Sequence, residues 1–242
     1  MDVMADESLV VRESLGAQVW QYCRRHPTIV IGALLLLVML IIALLATHLT
    51  PDPMKLNPIK RLRVPGEGML FGTDMYGRDV FARTLHGSRI SLLVGLSAAA
   101  VSTFFGLTIG LMAGYNRLFD TIVMRFMDGI MAIPSILLAI ALVSLTGASV
   151  GIVIVAISIP EIPRVVRLVR SVVLTIREQP YVEAAISVGA RLPRILLRHI
   201  LPNTLAPLIV QATYVCASAM ITEAILSFLG AGTPPDIPSW GN

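Results

Sequence analysis

Residues Ile29 to Ala46 read IVIGALLLLVMLIIALLA, without one charged side chain. A helix rises 1.5 Å per residue, so about 20 apolar residues cross a hydrocarbon core. Working outward, three more stretches are free of charge: Ile90–Asn116, Gly129–Pro160 and Thr204–Thr222. Gly129–Pro160 is too long for one crossing, and Thr146-Gly147-Ala148-Ser149 gives it a turn signal near its middle. It reads as a helical hairpin whose second arm runs on toward Arg170. Five spans are therefore expected, at about 28–48, 89–113, 123–145, 149–169 and 204–229, in an all-α membrane bundle. The first apolar stretch exceeds the 7–15 residues of a cleaved signal region, so it should stay as an anchor.

Composition points the same way. The chain is 55% hydrophobic and only 14% charged, against roughly 25% charged in a soluble domain. That excludes disorder and argues for lipid as the solvent. The net charge of +4 would raise nucleic acid as a partner for a soluble protein; here it reads as topology. With the N-terminus inside, inner segments hold Arg12, Arg24, Arg25, Arg117, Arg125, Arg164, Arg167, Arg170, Arg177, Arg191, Arg194 and Arg198. Outer segments hold the smaller set, Lys55, Lys60, Arg61, Arg63, Arg78, Arg83 and Arg89. The bias favours an N-terminus inside.

Four regions follow: a polar tail at 1–27, a first span at 28–48, a Pro- and Gly-rich outer loop at 49–88, and a membrane domain at 89–242. No internal repeat is visible. Cys23 and Cys216 lie in different regions and should not pair. His26, His48 and His86 sit at span ends, where a polar interfacial role outweighs metal binding. No G-x-x-x-x-G-K-[ST] phosphate loop and no catalytic constellation occur, so no cofactor is implied and any ATP must be handled elsewhere.

The inner loop 171–203 is long and charged, and a long ordered loop needs a reason. Pro180 suits a first helical position. Val182, Ala185, Ile186 and Gly189 then share one face, Glu183 suits the first turn of the helix dipole, and Ala184, Ala185, Gly189 and Ala190 keep the helix slim. Pro193 can start a second helix, with Pro202 expected to stop it. On pattern alone, an amphipathic helix on the membrane surface fits as well.

The residues themselves say more. Glu183-Ala184-Ala185, then Gly189, then Ile200-Leu201-Pro202 resemble the "EAA" signature of importer permeases of the ATP-binding cassette class. Phe71-Gly72-Thr73-Asp74 with Gly77-Arg78-Asp79, Gly87-Ser88-Arg89-Ile90-Ser91-Leu92, Ile133-Pro134-Ser135, Arg198 to Asn203, Ser227-Phe228-Leu229-Gly230 and Pro238 to Asn242 resemble the dipeptide, oligopeptide and nickel permease group, its second permease type. The resemblance implies a type I importer permease, half of a pore for peptides, with nickel or another small solute as the alternative cargo. It implies a second permease subunit in a heterodimer, two cytoplasmic ATPase subunits and a periplasmic or lipid-anchored substrate-binding protein. It makes Glu183, Ala184, Ala185, Gly189, Leu201 and Pro202 the ATPase-coupling loop, and Gly72, Thr73, Asp74, Gly77, Arg78 and Asp79 a periplasmic motif. That motif either meets the binding protein or forms a salt-bridged turn packed on the bundle.

Two departures stand out. Ser158-Ile159-Pro160-Glu161-Ile162-Pro163-Arg164 places a Glu between prolines where the family shows small or aromatic residues. A kink is expected there, with Glu161 paired to Arg164 or Arg167. Family members also continue past Trp240-Gly241-Asn242 into a sixth span, so this sequence is expected to lack that helix and to end outside. Asp120 and Asp128 read as inner-edge ion pairs with Arg117 and Arg125. Glu223 lies about 30 Å along the last span, near the outer face, as a translocation-pathway residue or a satisfied interfacial carboxylate. Readings of another class are a stand-alone ion-coupled transporter and a non-transporting membrane scaffold.

Overall fold

A computed structural model of the chain describes residues 21, 23–66 and 68–242. Most of the polar tail, with Arg12, lies outside the described residues. The chain divides into two units, Met1–Leu45 and Ala46–Asn242.

Helix α1, Pro27–Leu49, covers the charge-free opening stretch. Its Leu and Ile side chains are exposed along nearly its whole length, as expected of a helix whose solvent is hydrocarbon. After an irregular loop with a 3-10 turn at Pro58–Lys60 comes α2, Val80–Tyr115. Its N-terminus is capped by Asp79, whose carboxylate accepts from the Phe81 N–H at 2.9 Å. Asn116 ends α2, and its side chain accepts from Leu118 N at 3.0 Å and Phe119 N at 3.2 Å, starting α3, Arg117–Met131.

The expected single span at 123–145 is two helices. α3 stops at Met131, α4 runs Ser135–Thr146, and the two meet at 85°. Pro134 is the cause: it has no N–H to offer the preceding turn, and its ring disfavours a helical Ile133. The turn expected at 146–149 is present. Gly147 has φ +90°, and Ser149 accepts from Ile152 N at 3.3 Å, capping α5, Val150–Arg177.

Among the described residues, three helices are long and apolar enough to cross a membrane: α1, α2 and Leu192–Phe228; α3 with α4 would make a fourth. The fifth expected crossing, at 149–169, falls in the 28-residue α5, which continues through Pro160 and Pro163 and is not among these candidate spans. It carries Glu161, Arg164 and Arg167, and its charges find partners. Glu161 accepts from Arg164 at 2.9 Å, as expected. Arg167 meets Asp128 at 2.6 Å, and Arg170 Nη2 meets Asp120 at 2.6 Å. Asp120 and Asp128 thus pair across helices rather than with Arg117 and Arg125, because α3 turns its acids toward α5.

α2 and α5 meet along one seam. Gly106, Gly110 and Gly114 recur every four residues and face Val165, Val169 and Val173, spaced the same way. A Cβ on Gly110 would lie 2.7 Å from Val169 Cβ, one on Gly114 2.6 Å from Val173 Cβ, and one on Gly106 would overlap Val165. Two buried clusters flank this seam. One gathers the three valines with Val182, Ile195, Ile200, Leu208 and Val215; the other gathers Val94, Ala98, Ala139, Val143, Ala156, Ile157, Ala219 and Leu226.

The seam predicts the response to a single methyl. Gly106→Ala should destabilise the protein in detergent by about 2 kcal/mol through overpacking. Adding Val165→Gly should recover most of the lost thermal midpoint; additive losses in the double variant would count against direct contact.

Candidate functional site

The charged segment after α5 is built from short, sharply ended helices. α6, Pro180–Ser187, starts on its proline and carries Glu183 in its first turn. It ends in paired C-terminal bonds: Ala190 N donates to Ala185 O at 3.0 Å and Gly189 N to Ile186 O at 2.9 Å. This termination needs a left-handed residue, which Gly189 supplies at φ +82°. A Cβ on Gly189 would meet nothing within 4 Å, so its role within this chain is conformational.

Val182 is fully buried and roots α6 in the bundle core. Glu183 and Ala184 are exposed and Ala185 half-buried. Tyr181, Ile186 and Leu192 are exposed apolar side chains, and Val188 is 89% exposed. The apolar face expected at 182, 185, 186 and 189 is therefore divided, with Val182 inside, Ala185 half-buried, and Ile186 and Gly189 outside.

The second loop helix, α7, Leu192–Ile195, passes through a π turn at Leu196–Ile200 into α8, Leu201–Phe228. Pro202 does not stop the helix. It occupies the first turn of α8, and the wide turn before it, with Leu201 N donating to Leu196 O, removes the need for its missing N–H. Asn203 Nδ2 donates to His199 O at 2.8 Å and to Tyr181 Oη at 3.2 Å, tying α8 to α6.

At the opposite end, the segment after α8 folds back on the bundle around Glu223. That carboxylate is 0% exposed. Oε1 accepts from Ser227 Oγ at 2.7 Å and Thr233 Oγ1 at 3.2 Å, and Oε2 from Ser91 Oγ at 3.5 Å. Ser91 in turn accepts from the Trp240 N–H at 3.3 Å. Gly87 lets Ser239 pack flush on α2, where a Cβ would come within 3.0 Å of its carbonyl carbon. Glu223 is thus the polar knot under a cap formed by residues 230–242.

The motif of Gly72, Thr73, Asp74, Gly77, Arg78 and Asp79 docks on the same cap. Asp74 accepts from Arg78 Nε at 2.7 Å, Arg78 N at 2.9 Å and Tyr76 N at 2.8 Å. Burial pushes its carboxyl pKa up, but the bonds from Arg78 and Tyr76 outweigh this and hold it below the usual aspartate value. Thr73 Oγ1 donates to Lys60 O and accepts from Arg63 N. Gly72 and Gly77 both have φ +74°. Arg78 Nη1 and Arg83 Nη2 donate to Pro235 O, and Arg83 Nη2 also reaches Asn242 Oδ1 at 2.9 Å. The motif is thus a salt-bridged turn packed on the bundle. Sequence reading missed Arg83 and the hydroxyls around Glu223; Ser227, one turn after the acid, was the available signal.

The sequence matches two family models: "Binding-protein-dependent transport system inner membrane component" over residues 106–242, and "N-terminal TM domain of oligopeptide transport permease C" over residues 14–65. It is 58% identical over 219 residues to the "Probable peptide ABC transporter permease protein y4tQ" of Sinorhizobium fredii, covering 90% of this chain and 75% of that one. It is 39% identical to the "Di/tripeptide transport system permease protein DppC" of Pseudomonas aeruginosa, covering 98% and 80%. It is also 39% identical to the "Glutathione transport system permease protein GsiD" of Pectobacterium atrosepticum, covering 96% and 79%.

Two outcomes follow from this geometry. Glu223→Ala strands three hydroxyls and should cost about 3 kcal/mol. The cap should then become protease-sensitive; an unchanged cleavage pattern would remove Glu223 from its role as the knot. Asp74→Asn should cost about 2 kcal/mol at neutral pH, the scale of hydrogen bonds to a charged group. Because the folded pKa lies below the unfolded one, this stability is present above the ordinary aspartate value. It should fade as pH falls below about 4, where unfolding midpoints of parent and variant converge.

Proposed function

This chain belongs to the family of inner-membrane components of binding-protein-dependent transport systems, and on that premise we propose that it forms, with a second permease, the passage for peptides moving inward. It is a multi-pass inner-membrane permease subunit and not an enzyme. Peptide as cargo rests on the names of its relatives and on the sequence motifs. In this reading residues 1–27 lie in the cytoplasm, 28–48 make the first crossing, and 49–88 face the periplasm. Residues 89–242 form the pore half, with the coupling loop at 171–203. The partners are a heterodimeric second permease, two cytoplasmic ATPase subunits and a substrate-binding protein that meets the outer face.

The single observation that carries the coupling role is the construction of α6. One side chain, Val182, is sunk in the core that also holds α5 and α8, while Tyr181, Ile186, Val188 and Leu192 are exposed. A short helix with a rooted end and an apolar tip can transmit a push when a partner closes on it. Lipid-facing apolar surface would serve a surface helix equally, but Glu183, Arg191 and Arg194 in the same loop favour a polar-rimmed protein contact.

The test is loss of the ATPase. Val188→Asp should insert normally yet reduce both co-purification of the ATPase and labelled-peptide uptake by about tenfold, the effect of a charge on an apolar contact worth roughly 1.4 kcal/mol. Full co-purification would remove the loop from the coupling role. In a strain lacking the gene, unchanged peptide uptake with lost nickel uptake would overturn peptide as the cargo.

A further inference from the structure

At the break between α3 and α4 lies a cavity of about 330 Å³, its walls including Ile130, Ile133, Pro134, Ser135 and, from α5, Pro160 and Arg164. Arg164 is the charged side chain among the lining residues, in a wall otherwise apolar apart from Ser135. It sits at the midpoint of α5, 14 residues from Val150 and 13 from Arg177, which is about 20 Å from either end. Within the crossing expected at 149–169 it lies about 8 Å from the end that leads to the charged loop, and an ionisable side chain inside a crossing marks function by default.

The pair it forms is incomplete. Arg164 Nη1 donates to Glu161 Oε1 at 2.9 Å, yet the Arg164 side chain remains 40% exposed. Glu161 is 4% exposed, and its Oε2 has no partner. A bridge that served only to close the core would be shut in and fully hydrogen-bonded. Here Glu161 occupies one of five guanidinium donors and fixes the direction of the rest. On the facing wall α4 begins, with Pro134 at its N-cap and no side-chain cap bond. Its first N–H groups and the positive end of its dipole therefore border the same cavity as Arg164. Broken membrane helices present such half-helix N-termini to anionic substrate groups.

We infer that Arg164, steered by Glu161 and backed by the N-terminus of α4, is a transient binding site for the terminal carboxylate of the peptide in transit. This rests on the reading of the chain as half of a peptide passage. A guanidinium is built to take a planar carboxylate. Glu161 tempers its charge, so that the cargo is held and then released, as conduction requires. In this arrangement Arg164 contacts the cargo and Glu161 is a positioning residue.

The experiment uses the assembled transporter, with both permeases, the ATPases and the binding protein, in proteoliposomes. Uptake of a labelled tripeptide is compared with uptake of its C-terminal amide. The binding protein's own preference is common to parent and variant and cancels in the ratio. Arg164→Gln should reduce uptake of the acid about tenfold more than uptake of the amide, the scale of one charge-assisted hydrogen bond. Glu161→Gln with Arg164→Gln, which leaves no stranded carboxylate, should show the same selective loss. Equal losses for acid and amide, or no loss for either, would overturn the inference. So would release of the second permease on purification, which would make Arg164 a subunit contact. If the parent transporter moves neither peptide, the peptide reading itself fails, and this site falls with it.

Discussion

The seam of Gly106, Gly110 and Gly114 against Val165, Val169 and Val173 is the contact on which the rest of the bundle depends. In lipid the hydrophobic effect does not draw helices together, since a neighbouring acyl chain is as apolar as a leucine. Attraction must come from dispersion, which falls off within a fraction of an ångström and so demands backbones nearly in touch. Three glycines on successive turns let α5 lie in the groove of α2. The N-terminus of α2 follows the motif that holds the cap, and the C-terminus of α5 leads directly into α6. Both ends of the molecule thus hang from one dry contact.

Several polar groups inside the bundle sit where a specific partner answers them. Glu223 is surrounded by three hydroxyls, from Ser227 on its own helix, Thr233 in the cap and Ser91 on α2. Arg167 and Arg170 reach acids on α3, which holds the bent helix against α5. Glu161 leaves one carboxylate oxygen without a partner, and its ion-pair partner Arg164 lines a cavity.

Much of this could be read from the chain. The charge-free stretches located the helices because a membrane removes every other solution for the backbone. Gly147 marked a turn, which its left-handed backbone makes; Gly189 reads in sequence as part of a helix face, whereas its left-handed backbone ends the helix. Pro134 was legible as part of a motif but not as a right-angle break, since a proline's effect depends on what packs around it. Pro202 misled for the converse reason: a π turn absorbed it. Arg117 and Arg125 are close in sequence to Asp120 and Asp128, yet the partners came from α5, which no local pattern announces. The glycine repeat was visible at four-residue spacing, but its valine partners are ordinary span residues until the two helices are seen together.

The π turn between α7 and α8 also keeps time. Ile195 and Ile200, both buried in the same core, stand five residues apart, while the buried row beyond them, Thr204 and Leu208, keeps steps of four. The widened turn absorbs the extra residue and holds the two rows in phase. Were it wound to ordinary α pitch, everything beyond would be out of step by about 100°, and Leu208 and Val215 would swing from the core toward lipid. The junction is therefore stiff in torsion. A load applied at the loop reaches α8 as thrust or tilt, and the helix cannot answer it by spinning without first tearing its own buried row from α5.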